Sequence, residues 1–283
     1  MLAFLARGST VRFQNSAEGW IVRPVQKAYG MGHPSLFCGV PPKISSNRLS
    51  ASASENSFHA RRKHSRVQNF PCRKSLDLTT RNGLPLAQIL DNLLAKGKAV
   101  PMIVVMPDGH ALPPETTPVT SPDFIKIITP YLPKNQRAAD AELFHDIILF
   151  IEAHYNISDE PRERAIAGLS LGGLQAIETG IVHLGYFRWI GAFCPGVHSA
   201  ALSDELKNAL KDPNKINESL YLFEIFTADN DQLVGKDIAE FEAQLKQTNI
   251  QHLYTVLPGT HSMLVGRHAL ANFLQKIFKP LSR

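Results

Sequence analysis

The sequence predicts an α/β protein, a mainly parallel sheet with helices on both faces. Two observations carry this. From about residue 82 onward, short wholly apolar runs alternate with stretches of helical periodicity, and this alternation is the pattern of strands joined by crossover helices. The runs themselves, such as Pro101-Met-Ile-Val-Val-Met106, are apolar throughout rather than alternating, which marks strands covered on both sides.

Taken in order, Leu84–Lys96 reads as an amphipathic helix, with Leu86, Ile89, Leu90, Leu93 and Leu94 at helical spacing and Gly97 as its stop. The strand over 101–106 ends at Pro107-Asp108-Gly109, a turn. The stretch Ala111–Gln136 carries six prolines and is expected to be an irregular loop. Ala138–Tyr155 is expected to be a helix burying Leu143, Ile147, Phe150, Ile151 and His154 on one face. Strands follow at Arg164–Leu169, Arg188–Phe193, Leu220–Phe226 and His252–Leu257. Helices are expected at Leu171–His183, at Ser203–Lys211 with Ser203 as the cap, at Lys236–Gln247 and at Met263–Phe278.

Residues 1–80 are different text. They hold twelve basic and three acidic residues, a net charge of +9, so the rest of the chain, with 18 basic and 22 acidic residues, is at −4. The overall +5 therefore comes from one segment, and it is no sign of a nucleic-acid-binding surface on the part with fold periodicity. This segment lacks a sustained period of 2 or 3.6, is rich in serine between Ser45 and Ser57, and contains the cluster Arg61-Arg62-Lys63-His64-Ser65-Arg66. That composition reads as disorder or as something like an organelle transit peptide, and the cluster as a solvated charge run, with a nuclear address or a nucleic-acid patch as the alternatives. Short strand-like pieces occur within the segment, such as Trp20–Val25 and Leu36–Val40. The patch at Met1–Ala6 is too short for a signal-peptide core, and no run approaches the length of a membrane span. Nothing here fixes a compartment or an oligomeric state. The three cysteines, Cys38, Cys72 and Cys194, are far apart and form no CxxC, which argues against a disulfide framework and a thiolate zinc site. Cys194, after an apolar run, reads as a buried small residue.

The chemistry is concentrated at Gly168-Leu169-Ser170-Leu171-Gly172-Gly173. G-x-S-x-G is a weak motif alone, but here it lies between a strand end and a helix start. In that setting a sharp turn lifts the serine hydroxyl above the sheet, and the flanking glycines leave room for the chain to pass. The Leu171 amide opens the helix, where unpaired donors and the positive dipole end favour a developing oxyanion.

The stretch Arg164-Ala-Ile-Ala-Gly-Leu-Ser-Leu-Gly-Gly173 resembles the elbow of the putative-esterase family of α/β-hydrolases. Relatives there include feruloyl, acetyl xylan and enterochelin esterases and S-formylglutathione hydrolases. The resemblance extends through Ile89–Leu94, Pro101–His110 and Phe150–Tyr155 to the C-terminus, about 200 residues in all. It implies an α/β-hydrolase fold over 81–283 and a Ser–Asp–His triad in that chain order, acting on a sugar-linked or aromatic ester, small or carried on carbohydrate. Ser170 is then the nucleophile. Asp231, in Thr227-Ala-Asp-Asn-Asp-Gln-Leu233, matches the family's acid, with Asp229 as its rival. His261, in Pro258-Gly-Thr-His-Ser262, matches the histidine, and His110 is a candidate pocket residue. Serine acyl transfer requires neither cofactor nor metal, and no HExxH spacing is present.

One part of the family pattern has no counterpart. Relatives carry another strand before Leu84–Lys96, central in the sheet and ending in a His-Gly loop that gives the second oxyanion donor. Immediately upstream stands Leu76-Asp-Leu-Thr-Thr-Arg-Asn-Gly83, which is neither. The expectation is a domain lacking its N-terminal strands, with residues 1–80 not the family's own N-terminal part. Trp20–Val25 or Leu36–Val40 filling the gap is the alternative. Leu149 and Gly266 also depart from the family, standing where it often has proline and an aromatic residue. Three functions stay open: an ester hydrolase, an acyltransferase using the same triad, and a catalytically impaired remnant or binding module on a hydrolase scaffold.

Overall fold

The computed structural model describes residues 1–6, 22–24, 36–39, 86–107, 109 and 124–279. Eight strands form one sheet: β1 (Leu2–Ala6), β2 (Val22–Pro24), β3 (Leu36–Gly39), β4 (Met102–Met106), β5 (Arg164–Leu169), β6 (Trp189–Phe193), β7 (Leu222–Ala228) and β8 (Leu253–Leu257), in the order β2-β3-β4-β1-β5-β6-β7-β8. The pairs β3–β4, β5–β6, β6–β7 and β7–β8 are parallel, whereas β1 lies antiparallel between β4 and β5.

The position expected to be empty is thus occupied, but by neither of the two alternatives. Leu2–Ala6 pairs with β4 on one side (Ala3 with Val105) and with β5 on the other (Ala3 with Ile166). Leu36–Gly39 joins the sheet on the far side of β4, and Val22–Pro24 pairs with it antiparallel. Because β1 runs against its neighbours, its beginning, not its end, stands beside the Ser170 turn. The family's loop follows the end of a parallel strand, and among the described residues none is found there.

The helices are α1 (Leu86–Ala95), α2 (Phe124–Ile128), α3 (Leu132–Glu142), α4 (Ile148–His154), α5 (Leu171–Val182), α6 (Asp204–Ala209), α7 (Pro213–Ser219), α8 (Gly235–Gln247) and α9 (Met263–Leu274). Alternate strand residues face opposite layers. Met102, Val104, Ala165, Ala167, Trp189 and Phe193 pack under α1 and α9, against Leu90, Leu270 and Phe273. Ile103, Val105, Ile166, Ile190 and Ile225 face the other layer, against Ile147, Ile151, Leu174, Ile177, Ile238 and Leu245 from the helices between α3 and α8. The expected helices on both faces are present.

Two local expectations need correction. Part of the supposed loop over 111–136 is helical, because Pro130 and Pro133 sit in first turns, where a missing N–H costs nothing, and not in helix interiors. The single helix expected over 138–155 is instead α3 and α4 joined through a π-helical turn at Leu143–Ile147. Of its expected inner face, Leu143, Ile147 and Ile151 are buried while His154 is exposed. The helix α7 was not anticipated; Asp212 caps it, its side chain accepting from the Lys215 amide at 3.1 Å.

Candidate active site

Ser170 occupies the single residue between β5 and α5, with φ 56° and ψ −115°. A positive φ on a residue with a Cβ is strained and persists only where the surroundings hold it. Here the Ser170 amide donates to the Phe193 carbonyl at 2.8 Å, and its carbonyl accepts from the amides of Gly173, Leu174 and Gly196. The glycines are needed for close approach. A Cβ on Gly168 would lie 2.2 Å from the Gly172 carbonyl oxygen, and one on Gly173 would lie 3.0 Å from Pro195. A Cβ on Gly172 would meet the Met1 backbone nitrogen at 2.7 Å, so the beginning of β1 lies directly against this turn. Leu171 is the first residue of α5, so its amide is among the N–H groups that a helix leaves without an intrahelical acceptor.

His261 follows β8 by four residues and immediately precedes Ser262, the cap of α9. Its Nε2 is 3.0 Å from Ser170 Oγ, and its Nδ1 is 2.9 Å from Asp231 Oδ2. The Asp231 side chain is fully buried, in the turn between β7 and α8, and its Oδ1 accepts from the amides of Leu233 and Val234, both at 3.0 Å. Burial pushes the Asp231 carboxyl upward, but hydrogen bonds from His261 and those two amides, with the His261 charge, outweigh it and hold the group below its ordinary 3.8. The carboxylate is therefore the form facing the imidazole.

The two aspartates that share this loop have different partners. Asp229 does not reach His261. Its Oδ1 accepts from the Gly259 amide at 2.8 Å, while the Asn230 amide donates to the Gly259 carbonyl, so the turn before His261 is tied to the turn before Asp231. Gly259 has φ +130°, which a side chain would strain. Asp229 thus orders the loop that delivers His261, a role that chain position alone does not reveal.

The other histidines lie away from this relay where they are described. His110 lies outside the described residues. His145, His154 and His268 are exposed; His183 pairs with Asp140 at 3.4 Å, and His252 lies 3.7 Å from Glu242. Nearby, Gln175 Nε2 and Asn135 Nδ2 both donate to the Gly109 carbonyl, at 2.7 and 2.9 Å, and anchor the turn that follows β4 to the helices beside the site. Among the described residues, one group of His, Cys, Asp and Glu side chains is close enough to share a metal ion: Cys194, Asp231 and His261, with ligand atoms within 4.8 Å of one another. Two of these already engage each other and Ser170. No helix among the described residues is long and apolar enough to cross a membrane.

A strained serine at a strand-to-helix turn, in line with an imidazole and a buried carboxylate, can perform acyl transfer. Residues 76–277 match the family model described as Putative esterase. The chain belongs to this esterase family. Its fold is the α/β-hydrolase fold. A CE1 ferulic acid esterase of Anaeromyces mucronatus, in complex with ferulic acid, is similar at 25% identity with a TM-score of 0.52, over 66% of this chain and 69% of that one. A feruloyl esterase module from Clostridium thermocellum, complexed with sinapinate, aligns at 17% identity and TM-score 0.50, over 70% of this chain and 71% of that one. The enterobactin esterase FES of Shigella flexneri aligns at 16% identity and TM-score 0.50, covering 68% and 48%. The last two show shared fold alone. As a member of the family, the esterase is a carboxylic ester hydrolase by class.

Proposed function

We propose that this esterase cleaves a sugar-linked or aromatic carboxylic ester through a covalent acyl-enzyme on Ser170. The observation that carries the proposal is the unbroken relay from Ser170 Oγ through His261 to Asp231, with links of 3.0 and 2.9 Å. His261 Nε2 takes the hydroxyl proton as Oγ attacks the ester carbonyl, then gives it to the departing alcohol. Water repeats the sequence and releases the acid. Asp231 holds the tautomer with the proton on Nδ1 and stabilises the imidazolium that forms. The Leu171 amide receives the oxyanion, aided by the positive end of α5. Every residue named in this reading lies within 81–283, although β1 of the same sheet lies outside those bounds, and no metal or cofactor takes part. The aromatic choice rests on likeness to the ferulic acid esterase; acyl transfer to an alcohol would use the same residues.

A second reading draws on the direction of β1. With β1 antiparallel beside the Ser170 turn, no loop among the described residues takes the place of the relatives' His-Gly loop, their source of a second oxyanion donor. Loss of one such donor lowers turnover by about 10²–10³, so a slow or impaired enzyme on an intact relay is the alternative.

Treatment of the full chain with a fluorophosphonate probe separates these. Labelling that Ser170→Ala abolishes, together with release of the acid from methyl ferulate or a feruloylated sugar, is the expected result. Absence of labelling in a chain shown to be folded would refute the relay. Labelling with turnover depressed by the stated factor would favour the impaired reading.

A further inference from the structure

Cys194 is a buried residue one position beyond the end of β6, in the left-handed region at φ 41°. Its conformation is imposed from two sides. Its amide donates to the Phe226 carbonyl at 2.8 Å, latching it to β7, and two residues later the Gly196 amide donates to the Ser170 carbonyl. The segment therefore bridges the strand that leads to the acid and the turn that carries the nucleophile. Its sulfur lies within 4.8 Å of the ligand atoms of both Asp231 and His261.

A carboxylate offers about four acceptor positions. Asp231 fills three, with the amides of Leu233 and Val234 and the ring of His261. The Cys194 sulfur stands within 4.8 Å of this carboxylate, and a thiol carries a weak donor that could turn to the remaining position. We propose that Cys194 is a positioning residue whose S–H donates to the Asp231 carboxylate and fixes it against His261. The inference rests on the Ser170–His261–Asp231 relay.

The state of the sulfur agrees. Burial pushes the Cys194 thiol up to about 12, the charge and hydrogen bonding of Asp231 act in the same direction, and the Ala228 backbone opposes them. The group is then a neutral donor at physiological pH, not a second nucleophile. Tyr254 of β8 also faces this region. Its hydroxyl is raised by burial and the Glu242 charge, with Cys194 adding to the rise and Thr227 and Lys246 opposing it.

The test uses the full chain with Cys194→Ala and Cys194→Ser, alone and in an Asp231→Asn background. Melting curves are recorded for each variant. Rates of fluorophosphonate labelling, kcat and KM on a p-nitrophenyl ester, and the pH profile of kcat/KM are compared. Cys194→Ala is expected to lower kcat about tenfold, the rate equivalent of one hydrogen bond to a charged group, with KM held within about twofold. The acid limb of its profile is expected to move to higher pH, since the carboxylate facing His261 loses a donor. Cys194→Ser, which keeps a donor, restores most of the rate, and the alanine effect disappears once Asp231 is Asn, because contacting residues couple. Parental rates and an unmoved profile in folded Cys194→Ala would overturn the proposal. So would equal losses in the serine and alanine variants with the profile unchanged, which would mean packing alone. Failure of the parent chain to label at Ser170 would refute the relay itself, and the inference with it; that outcome is distinct from a labelled parent with an indifferent Cys194.

Discussion

Replacing Asp231 by asparagine changes one oxygen to an amide nitrogen and alters the direction of a single hydrogen bond. Asp231 Oδ1 accepts from Leu233 and Val234, and both bonds hold the side chain in the turn. Asparagine keeps them by placing its one carbonyl oxygen there, so its NH2 falls at the Oδ2 position, 2.9 Å from His261 Nδ1. Two donors cannot share that hydrogen bond. The imidazole then moves its proton to Nε2, the nitrogen 3.0 Å from Ser170 Oγ, where it can no longer accept the serine proton. A tautomer error of this kind removes about 10⁴ from kcat in a triad hydrolase, or about 5.5 kcal/mol of transition-state stabilisation. Asp229→Asn is the matched control. It keeps an acceptor for the Gly259 amide, so a loss below about tenfold is expected, within the range of one perturbed hydrogen bond. Both variants would be assayed for hydrolysis of a chromogenic ester at saturating substrate, with a melting curve to show that each is folded. A folded Asp231→Asn enzyme that kept a tenth or more of the parental kcat would refute the assignment. A collapse in Asp229→Asn alone would transfer the role to Asp229.

Two further outcomes follow from the same geometry. Gly168→Ala places a Cβ 2.2 Å from the Gly172 carbonyl oxygen, a backbone clash that no rotamer relieves; a loss of about 3 kcal/mol in denaturant-monitored stability is expected, and a loss under about 0.5 kcal/mol would show that the turn is looser than described. The pH dependence of stability has a definite sign at Asp231, whose carboxyl is held below its unfolded value of 3.8: its contribution is complete above that value and is lost as pH falls through the lower folded one. Acid titration of the unfolding free energy below pH 3.8 should thus be shallower in Asp231→Asn than in the parent, and parallel curves would contradict this; Glu178, raised by burial above 4.5, acts with the opposite sign and at higher pH.

The serine turn was legible in the sequence because its signal is local. Ala165-Ile-Ala167 reads as the end of a buried strand, Gly172-Gly173 as the opening of a tightly packed helix, and Ser170 stands at the turn between the two elements. His261 and the Asp229/Asp231 pair were legible through the order of strands and turns. The choice of Asp231 over Asp229 came from the resemblance alone, since both lie in one loop of strand-end residues. It depends on which side chain the amides of Leu233 and Val234 capture and which one Gly259 takes. The place of Cys194 was hidden for a similar reason. Its distance from Asp231 depends on the pairing of β6 with β7, Phe193 opposite Phe226, and its neighbours in sequence say only that it is buried. The helical start within 111–136 was obscured by prolines that mark helix starts as readily as loops. The position of Leu2–Ala6 left the weakest trace, five residues whose partners and direction are set by contacts far along the chain.

The strand β1 also bears on how the molecule assembles. Its two neighbours are about 100 and 160 residues away in the chain. Until Leu2–Ala6 inserts, β4 and β5 each present an unpaired edge in the middle of the sheet, and such edges invite pairing between molecules. Contacts of that separation form slowly, because the entropy of closing the long loops is lost before the pairing rewards it. The slow step in refolding this esterase is therefore expected to be the docking of one five-residue strand, with a window for aggregation that widens with protein concentration.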